Sequence, residues 1–358
     1  MGISTLRSAN PNTNWTTCSF KFFLFFIMSN ILVLSQTDVE TLLSRTNAQV
    51  CNQIVDLMEE TFQKYTASHS NTDIASKVQS PQRVGVKSSF HHVLFMPSRL
   101  EETTSIKIVS VPTKDGKGGL ASTILVLNEQ TGITEAVINA DALTAVRTAA
   151  GSALATRHLA KSNAINLVVF GAGAQARSHV DMMIAVRPTI KKIAIWNRSG
   201  ERRDKLIEEL KLAYPDREFI PTDQDLQSQV EQADIICTCT NATKPVLFGK
   251  WLKPGVHLNC VGSYTPDMHE IDSEAVNTIE RIVVDSVEAC SHEAGELIKS
   301  SRPEDWLEIG QLTQEVDANE KNKITLFKSV GISLQDSAIA GFMVNLAKEK
   351  KMGTRVPF

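Results

Sequence analysis

The sequence lacks a hydrophobic run of the length that a membrane span needs, about 20 residues. Its most apolar stretch, KFFLFFIMSNILVL, occupies 21–34, and no small-residue cleavage site of the kind that ends a signal peptide follows it. We therefore expect 1–27 to be a disordered or mispredicted extension, with the first domain beginning at Met28. A targeting segment at the N-terminus is the alternative that the sequence leaves open.

An excess of either charge is also missing. The 37 Lys and Arg residues nearly balance the 40 Asp and Glu residues, which gives a net charge of −3, and neither sign forms a long block. Such a composition gives no electrostatic reason to expect a nucleic acid or an anionic membrane as a partner.

Cysteine is sparse, and its spacing is unlike that of a zinc site or a disulfide framework. Among the six cysteines, Cys237 and Cys239 form a C-x-C pair in the apolar run DIICTCT, and no second Cys/His pair stands at zinc-like spacing. We expect free buried thiols and no metal, which suits a reducing compartment and hence a cytoplasmic protein.

The patterns along the chain change character after Asp141. Before it, ILVL predicts a strand, apolar residues at helical spacing over 39–62 predict one or two helices, 66–82 read as a polar loop, and short apolar runs predict strands with a hairpin across NEQTG. After it, strands alternate with helical segments, the pattern of a parallel sheet. We predict an α/β protein with a Rossmann-type doubly wound sheet over 148–332. Beside it we expect an α+β domain over 28–147, completed by the last helix and tail, 333–358.

A glycine turn stands at the first strand–helix junction of the second region. Gly171-Ala-Gly173-Ala174-Gln175-Ala176 has the form G-x-G-x-x-A, follows the apolar strand LVVF and opens a helix. Gly171 allows a tight turn, Gly173 lets the backbone approach a pyrophosphate, and Ala176 keeps helix and strand close. In this context the pattern predicts a dinucleotide site rather than an ordinary strand–helix turn.

The next strand indicates which dinucleotide binds. NAD sites usually end this strand with an acid that holds the ribose hydroxyls, but IAIWN ends in Asn197-Arg198-Ser199, with Arg202 and Arg203 just beyond. A guanidinium in place of the acid suits a 2′-phosphate, which Arg binds through paired hydrogen bonds. We predict NADPH as the cofactor, with NADH as the alternative.

Polar residues close the strand DIICTCT at its carboxyl end. Thr238, Thr240 and Asn241 fall at the edge where open α/β sheets bind their ligands. They are candidates for contact with the nicotinamide ribose of the cofactor; the alternative is that they only form the turn.

Three cations stand near the joints between the predicted domains. Arg83 precedes a strand, Lys107 interrupts the apolar strand SIKIVSV, and Arg147 lies near the start of an Ala-rich helix. Each has an unremarkable alternative, such as an edge-strand lysine that prevents aggregation at position 107. Together, in a nucleotide enzyme, they suggest a substrate that carries a carboxylate, because guanidinium groups match carboxylates in geometry.

Several longer segments stand in order along the chain: AVRTAAGSALATRHLA, VVFGAGAQARSH, IAIWNR, GKWLKPGVHLNCVGSYTPDMHEID, HEAGEL and TLFKSVG. Together they resemble the ornithine cyclodeaminase/mu-crystallin family over about 81–345. The resemblance implies a homodimer whose substrate and dimerisation domain combines the N-terminal part with the last helix. It also implies that Arg83, Lys107 and Arg147 grip the carboxylate of the substrate, and that Lys107 donates a proton or polarises the substrate.

One loop separates the chemistries of that family. Cyclodeaminases resemble GGDxPGKxEL, where the Asp acts in deamination and cyclisation of ornithine, whereas this sequence has GSYTPDMHEI, with Tyr264 at the Asp position. The form GS-x-TP-x-M-x-E resembles the members that reduce cyclic ketimines. Reduction of a preformed C=N bond needs a hydride, a carboxylate clamp and a protonated imine, but no carboxylate base in this loop.

The resemblance therefore implies an NADPH-dependent reductase that acts on Δ1-pyrroline-2-carboxylate or Δ1-piperideine-2-carboxylate and makes L-proline or L-pipecolate. Thr148 and Ser263 are further hydrogen-bonding candidates for the substrate, although a cap or turn role is the alternative for each. Small imino or amino acids are the expected binding partners.

Other functions stay open at this point. Ornithine cyclodeamination would need Asp267 or an acid of HEAGEL to replace the missing base, and we expect Glu293 and Glu296 of that segment to be solvated. Amino-acid dehydrogenation of the alanine type is a further alternative. A crystallin-like protein that binds NADPH or a small ligand without turnover is the alternative from another class, although intact Lys107 and Arg147 argue against it.

Overall fold

The structure is a computed structural model that describes residues 30–117, 119–312 and 322–358. The predicted extension, 1–27, lies outside these ranges. The helices are α1 (Gln36–Leu43), α2 (Ala48–Ser68), α3 (Thr72–Lys77), α4 (Asp141–Leu159), α5 (Ala174–Val186), α6 (Gly200–Ala213), α7 (Leu226–Gln232), α8 (Ser273–Thr278), α9 (Val287–Glu293), α10 (Gly295–Ser300) and α11 (Ser333–Lys350). The strands are β1 (Asn30–Leu34), β2 (Val78–Gln79), β3 (Val84–Lys87), β4 (His91–Leu100), β5 (Thr103–Pro112), β6 (Ala121–Leu127), β7 (Thr134–Asn139), β8 (Asn166–Phe170), β9 (Lys192–Trp196), β10 (Glu218–Pro221), β11 (Ile235–Thr238), β12 (His257–Cys260), β13 (Arg281–Val284), β14 (Leu307–Glu308), β15 (Thr325–Lys328) and β16 (Thr354–Pro357).

Two helices, not one, follow the first strand. α1 ends at Ser44, whose φ of 40° is left-handed and breaks the helical path. Asn47 then caps α2, since its side chain accepts hydrogen bonds from the amides of residues 49 and 50 at 2.9 Å and 3.3 Å. The expectation of a loop over 66–82 is wrong, because α2 reaches Ser68 and α3 follows. None of the α3 residues is buried, so no apolar periodicity marked that helix in the sequence.

The first sheet combines β1–β7 with the C-terminal strand. Its order is β16-β1-β7-β6-β5-β4-β2, with β3 paired to β4. The pairing of β1 with β7 is parallel, and the others are antiparallel. The predicted antiparallel part and the hairpin of β6 and β7 across NEQTG are confirmed.

Strand β4 runs through Pro97 instead of ending before it. β3 pairs with residues 92–95 and β2 with residues 99 and 100, so neither strand pairs with residues 96–98 on that side. A proline costs no ladder hydrogen bond toward that side. The strand therefore tolerates the missing amide proton.

The second sheet is parallel throughout and has the order β10-β9-β8-β11-β12-β15-β13-β14. From β8 the chain proceeds through β9 to β10 on one side, then crosses over to β11 and β12 on the other. The connections thus reverse direction between the neighbouring strands β8 and β11. The crevice at the carboxyl ends of these two strands is a topological switch point, where open α/β sheets bind their ligands. The predicted Rossmann-type sheet is confirmed, although its strands β14 and β15 were not predicted. In the first sheet, β2 and β16 were not predicted either.

Helix α4 connects the two sheets. One hydrophobic cluster extends from Leu32 of β1 through Ala150 of α4 to Val169 of β8. The last helix, α11, packs on β4 and β5, as expected for a tail that returns to the first sheet. The predicted domain limit at 147/148 falls inside α4, and the limits remain a prediction. None of the helices within the described ranges is long and apolar enough to cross a membrane.

Candidate active site

The two sheets face each other across a cavity of about 840 Å³. Its wall on the side of the first sheet contains these predicted substrate residues: Arg83, Lys107, Arg147 and Thr148. Its wall on the side of the second sheet contains these predicted cofactor residues: Gly171, Gly173, Gln175, Asn197, Arg198, Ser199, Thr240 and Asn241. Residues that are far apart in the sequence thus meet in one cleft.

The glycine turn between β8 and α5 has room for a ligand. Gly171 has a φ of 116°, and a Cβ there would lie 2.7 Å from the carbonyl oxygen of Cys239. Gly173 is the N-cap of α5 without a side-chain cap, and a Cβ added to it would meet nothing within 4 Å in the described chain. The first amides of α5 are therefore open toward the cavity, as an anion-binding helix N-terminus requires.

Three residues beside this turn belong to the start of α5. The side-chain oxygen of Gln175 is buried and has no hydrogen-bond partner among the described residues. Ala174 begins α5, and Ala176 is fully buried, so a small side chain holds α5 against the sheet. The open N–H groups at the start of α5 and the switch point together fit the pyrophosphate of a dinucleotide.

The tip of β9 presents cations to the cavity. Arg198 and Arg202 both line it, beside Ser199, which begins α6 as its N-cap. Asn197 donates a hydrogen bond of 2.9 Å to the carbonyl of Ser199 and so holds the tip in shape. Arg203 points elsewhere, because its guanidinium lies 2.8 Å from Asp204 and 2.7 Å from Asp223.

The structure at the end of β11 differs from the expectation that Thr238 contacts the cofactor. Thr238 is fully buried and does not line the cavity; its hydroxyl donates a hydrogen bond of 2.8 Å to Glu270. Thr240 lines the cavity, and its amide and hydroxyl also donate to Glu270, at 2.6 Å and 2.8 Å. The amide of Gly262 donates to the other oxygen of Glu270 at 2.7 Å. Glu270 therefore ties the ends of β11 and β12 together, and Thr238 serves that tie rather than the cofactor.

A buried ion cluster forms the opposite wall. Lys107 Nζ lies 2.8 Å from Asp336 Oδ2, and Arg147 Nε lies 3.1 Å from Asp336 Oδ1. Gln335 accepts a further hydrogen bond of 2.9 Å from Arg147 Nη1. Strand β5 pairs with β4 on one side and β6 on the other, so Lys107 is not an edge-strand lysine.

Lys107 has an altered acidity. Burial lowers its pKa to about 8; the positive charges of Arg147 and Arg83 act in the same direction, whereas Asp336 opposes it. At neutral pH the amine is therefore charged but holds its proton less tightly than an exposed lysine. A group of this kind is able to donate a proton within the cavity.

Arg83 and Thr148 complete the polar part of this wall. Arg83 Nη2 donates hydrogen bonds to Glu293 at 2.8 Å and to the carbonyl of Gly331 at 3.1 Å. Thr148 lines the cavity and donates its hydroxyl proton to the carbonyl of Thr144 at 2.8 Å, which leaves the hydroxyl oxygen as an acceptor.

The structure also corrects the expectation that Ser263 contacts the substrate. Its side chain is fully buried and does not line the cavity. It donates a hydrogen bond to Glu296 and accepts one of 2.7 Å from Lys328. Lys328 in turn lies 3.0 Å from Glu296. Although burial by itself lowers the pKa of Lys328, the carboxylates of Glu296 and Glu270 outweigh it and raise that pKa. Ser263 therefore anchors its loop to an internal ion pair instead of contacting a substrate.

We expected the acids of HEAGEL to be solvated, and the structure shows that they are not. Glu296 is buried in the cluster just described, and Glu293 is half-buried against Arg83. From the loop after β12, Tyr264 lines the cavity, while Asp267 is exposed and does not. None of the described residues that line the cavity is an aspartate or a glutamate.

Sequence reasoning missed the acids that lie behind the wall. Asp336, Glu270 and Asp285 are buried, and Asp285 accepts hydrogen bonds from the amides of Val330 and Gly331 at 3.0 Å and 2.7 Å. The available signal was weak: Asp336 is the one charged residue in the segment ISLQDSAIAGF. Which cations these acids meet depends on contacts between distant segments.

Residues 33–351 match the sequence model of the ornithine cyclodeaminase/mu-crystallin family. A Bacillus cereus protein named Δ1-pyrroline-2-carboxylate reductase is 31% identical over 322 residues, which cover 86% of this chain and 95% of the relative. The ketimine reductase mu-crystallin of Macropus fuliginosus is 32% identical over 279 residues, which cover 76% of this chain and 86% of the relative.

Solved structures give the same result. The Δ1-pyrroline-2-carboxylate reductase of Thermococcus litoralis, in complex with NADH and L-proline, superposes with a TM-score of 0.80 at 28% identity. The superposition covers 91% of this chain and all of that one. The resemblance read from the sequence is thus confirmed along almost the whole described chain, and the protein belongs to the ornithine cyclodeaminase/mu-crystallin family.

Proposed function

We propose that the protein is an NADPH-dependent reductase of cyclic ketimine carboxylates, which converts Δ1-pyrroline-2-carboxylate or Δ1-piperideine-2-carboxylate to L-proline or L-pipecolate. The observation that carries this proposal is a single cavity with a dinucleotide turn on one wall and a buried cation cluster on the other. The relatives named for the same chemistry support it.

Three cations hold the substrate carboxylate. Lys107 and Arg147 are almost completely buried, so their interaction with an anion is little screened by water. Only Nη2 of Arg83 carries the hydrogen bonds described above, to Glu293 and Gly331. A second face of its guanidinium is left for the substrate. Once the ring nitrogen has received its proton from Lys107, the hydroxyl oxygen of Thr148 accepts a hydrogen bond from the resulting N–H.

The reaction consists of one hydride transfer and one proton transfer. When bound, the nicotinamide supplies the hydride to the imine carbon. Lys107 donates its proton to the ring nitrogen, so that the C=N bond becomes a C–H and an N–H bond. The apolar side chains of Leu94, Met96 and Val109 in the wall exclude water from this end of the cavity.

The absence of acids in the described cavity wall bears on the alternative, ornithine cyclodeamination. That reaction needs a base to handle the free amine before ammonia leaves, and Tyr264 stands where the cyclodeaminase motif has an aspartate. The acids that we considered as replacements are paired or lie elsewhere: Glu296 with Lys328, Glu293 with Arg83, and Asp267 at the surface. Reduction of a preformed ketimine is therefore the function that the geometry supports best.

The choice of NADPH over NADH is supported by the arginines at the tip of β9. Arg198 and Arg202 line the cavity, and no acid stands at this tip to hold the ribose hydroxyls. The Thermococcus litoralis relative was solved with NADH, so NADH is the second candidate. The intact cations Lys107 and Arg147 in the opposite wall argue against a binding protein without turnover.

A homodimer in the cytoplasm completes the proposal. The strand β3 exposes Val84 and Val86, at 61% and 57% of their surface, and the turn after it exposes Phe90 at 59%. Apolar side chains exposed together at one strand and its turn are typical of a protein–protein interface. Within the described ranges the free thiols are Cys51, Cys237, Cys239, Cys260 and Cys290, which suits a reducing compartment.

NADPH oxidation by the purified protein tests the proposal, with pyrroline-2-carboxylate and piperideine-2-carboxylate as substrates. L-ornithine with NAD⁺ is run in parallel and assayed for ammonia and proline. We expect rapid NADPH loss with at least one ketimine and no ammonia from ornithine. Ammonia and proline from ornithine, with inert ketimines, would establish cyclodeamination instead. NADPH binding without turnover of any substrate would indicate a binding protein.

A further inference from the structure

We propose that Asp336 is a positioning residue for the reduction, whose two carboxylate oxygens fix the ammonium of Lys107 and the guanidinium of Arg147 in the cavity wall. The inference rests on the proposed function, because it assigns a task within the same site. Asp336 itself does not line the cavity, so it acts through the two cations.

The geometry joins three elements at one carboxylate. Asp336 lies on α11, Lys107 on β5 and Arg147 on α4. Oδ2 lies 2.8 Å from the ammonium of Lys107 and Oδ1 lies 3.1 Å from Nε of Arg147. The three side chains are only 1%, 2% and 5% exposed, so water does not replace a lost partner. Each cation is therefore held in place by a direct ion pair with the carboxylate of Asp336.

The charges explain why a carboxylate is needed there. Lys107 and Arg147 repel each other in a poorly hydrated wall, and the repulsion favours a neutral Lys107. Asp336 offsets one of the two positive charges, which leaves one positive charge for the carboxylate of the substrate. The charged groups that act on Lys107 are Asp336, Arg147 and, from the loop before β3, Arg83, which is itself paired with Glu293.

Asp336 also favours the form of Lys107 that carries a proton. Burial lowers the pKa of Lys107 to about 8, and Asp336 is the largest influence in the opposite direction. Without the carboxylate, the lysine would lose its proton at a lower pH. The rate of ketimine reduction would then begin to fall at a lower pH.

The test compares the pH dependence of kcat/KM for the ketimine in the wild-type enzyme, Asp336→Asn and Asp336→Glu. In Asp336→Asn we expect the midpoint of the alkaline decline to move down by about one pH unit or more. We also expect kcat/KM at neutral pH to fall about tenfold or more, because a lost ion pair misplaces the proton donor. A variant with a lower Tm but the wild-type midpoint would overturn the proposal, since that is the result of a merely structural role.

Asp336→Glu keeps the charge and provides the second readout, including the case in which Asp336→Asn does not fold. We expect it to keep the wild-type midpoint while its kcat falls about tenfold, because the carboxylate is displaced by one methylene. An unchanged kcat would contradict a positioning role. NADPH binding, followed by its fluorescence, reports on the distant cofactor wall and shows that each variant is folded. A wild-type enzyme that reduces no ketimine would instead refute the proposed function.

Discussion

The carboxylate of Glu270 accepts a hydrogen bond of 2.7 Å from the amide of Gly262, and its other oxygen accepts one of 2.6 Å from the amide of Thr240. One buried acid thus holds together two loops that line the cavity. Burial raises the pKa of Glu270, while these hydrogen bonds favour the ionised form. These two loops therefore depend on a group that does not itself line the cavity.

Replacing Glu270 by Gln tests this dependence. The amide keeps the shape but turns one acceptor into a donor that faces the backbone amides or the threonine hydroxyls. The loss of charged hydrogen bonds is expected to cost about 2–4 kcal/mol in the free energy of unfolding and to weaken NADPH binding. Thermal unfolding and an NADPH titration measure the two effects. The exposed Glu274→Gln is the control, and equal behaviour of both variants would refute the role of Glu270.

Replacing each of the two glycines of the turn by Ala is expected to have a different effect on stability. Gly171 has a φ of 116° and no space for a Cβ beside Cys239, so Gly171→Ala should lower both the Tm and the affinity for NADPH. Gly173 has an ordinary extended backbone and open space in front of it, so Gly173→Ala should keep the Tm. The added methyl group intrudes only where we expect the pyrophosphate to bind, so NADPH affinity alone should fall. Unimpaired NADPH binding by Gly173→Ala would place the cofactor elsewhere.

Arg198 is expected to decide between the two dinucleotides. Its replacement by Ala removes a charged contact to the 2′-phosphate, worth about 1.5–3 kcal/mol, so kcat/KM for NADPH should fall about tenfold to a hundredfold. The value for NADH should change little, since NADH has no such phosphate. Arg203→Ala is the matched control: Arg203 pairs with Asp204 and Asp223, so its loss should affect stability but not the NADPH/NADH ratio. A ratio unchanged in Arg198→Ala would exclude Arg198 as the phosphate ligand.

The pH dependence follows from Lys107. Burial lowers its pKa to about 8, and in the proposed mechanism the protonated amine is the form that binds the carboxylate and donates the proton. The reduction rate should therefore be full below that pH and decline as pH rises through it. Lys107→Met should lose most of the activity and this decline with it. If Lys107→Met keeps the same alkaline decline, another group is the one that titrates.

The sequence predicted those parts of the site that local patterns determine. The glycine turn is read from a strand, two glycines and a helix in succession, and a charge inside the apolar strand SIKIVSV marks Lys107. The alternation of side chains along that strand also places Lys107, Val109 and Val111 on one face, and all three line the cavity.

The direction in which loop side chains point could not be predicted from the sequence. Thr238 and Ser263 stand next to residues that line the cavity, yet both face inward, because buried acids accept their hydroxyl protons. The partners, Glu270 and Glu296, lie 32 and 33 residues further along the chain. Pairing over such distances follows from how the loops fold back, which a single sequence does not reveal. The same holds for Asp336, whose partners are Lys107 and Arg147.

The most direct test of the central claim follows the hydride. NADPH that carries deuterium on either face of the nicotinamide C4 position is mixed with each ketimine, and the product is analysed by mass spectrometry and NMR. Hydride transfer to the imine predicts that one of the two labelled cofactors delivers deuterium to C2 of proline or pipecolate, in step with NADPH oxidation. A product without deuterium from either cofactor, or no product at all, would contradict the account.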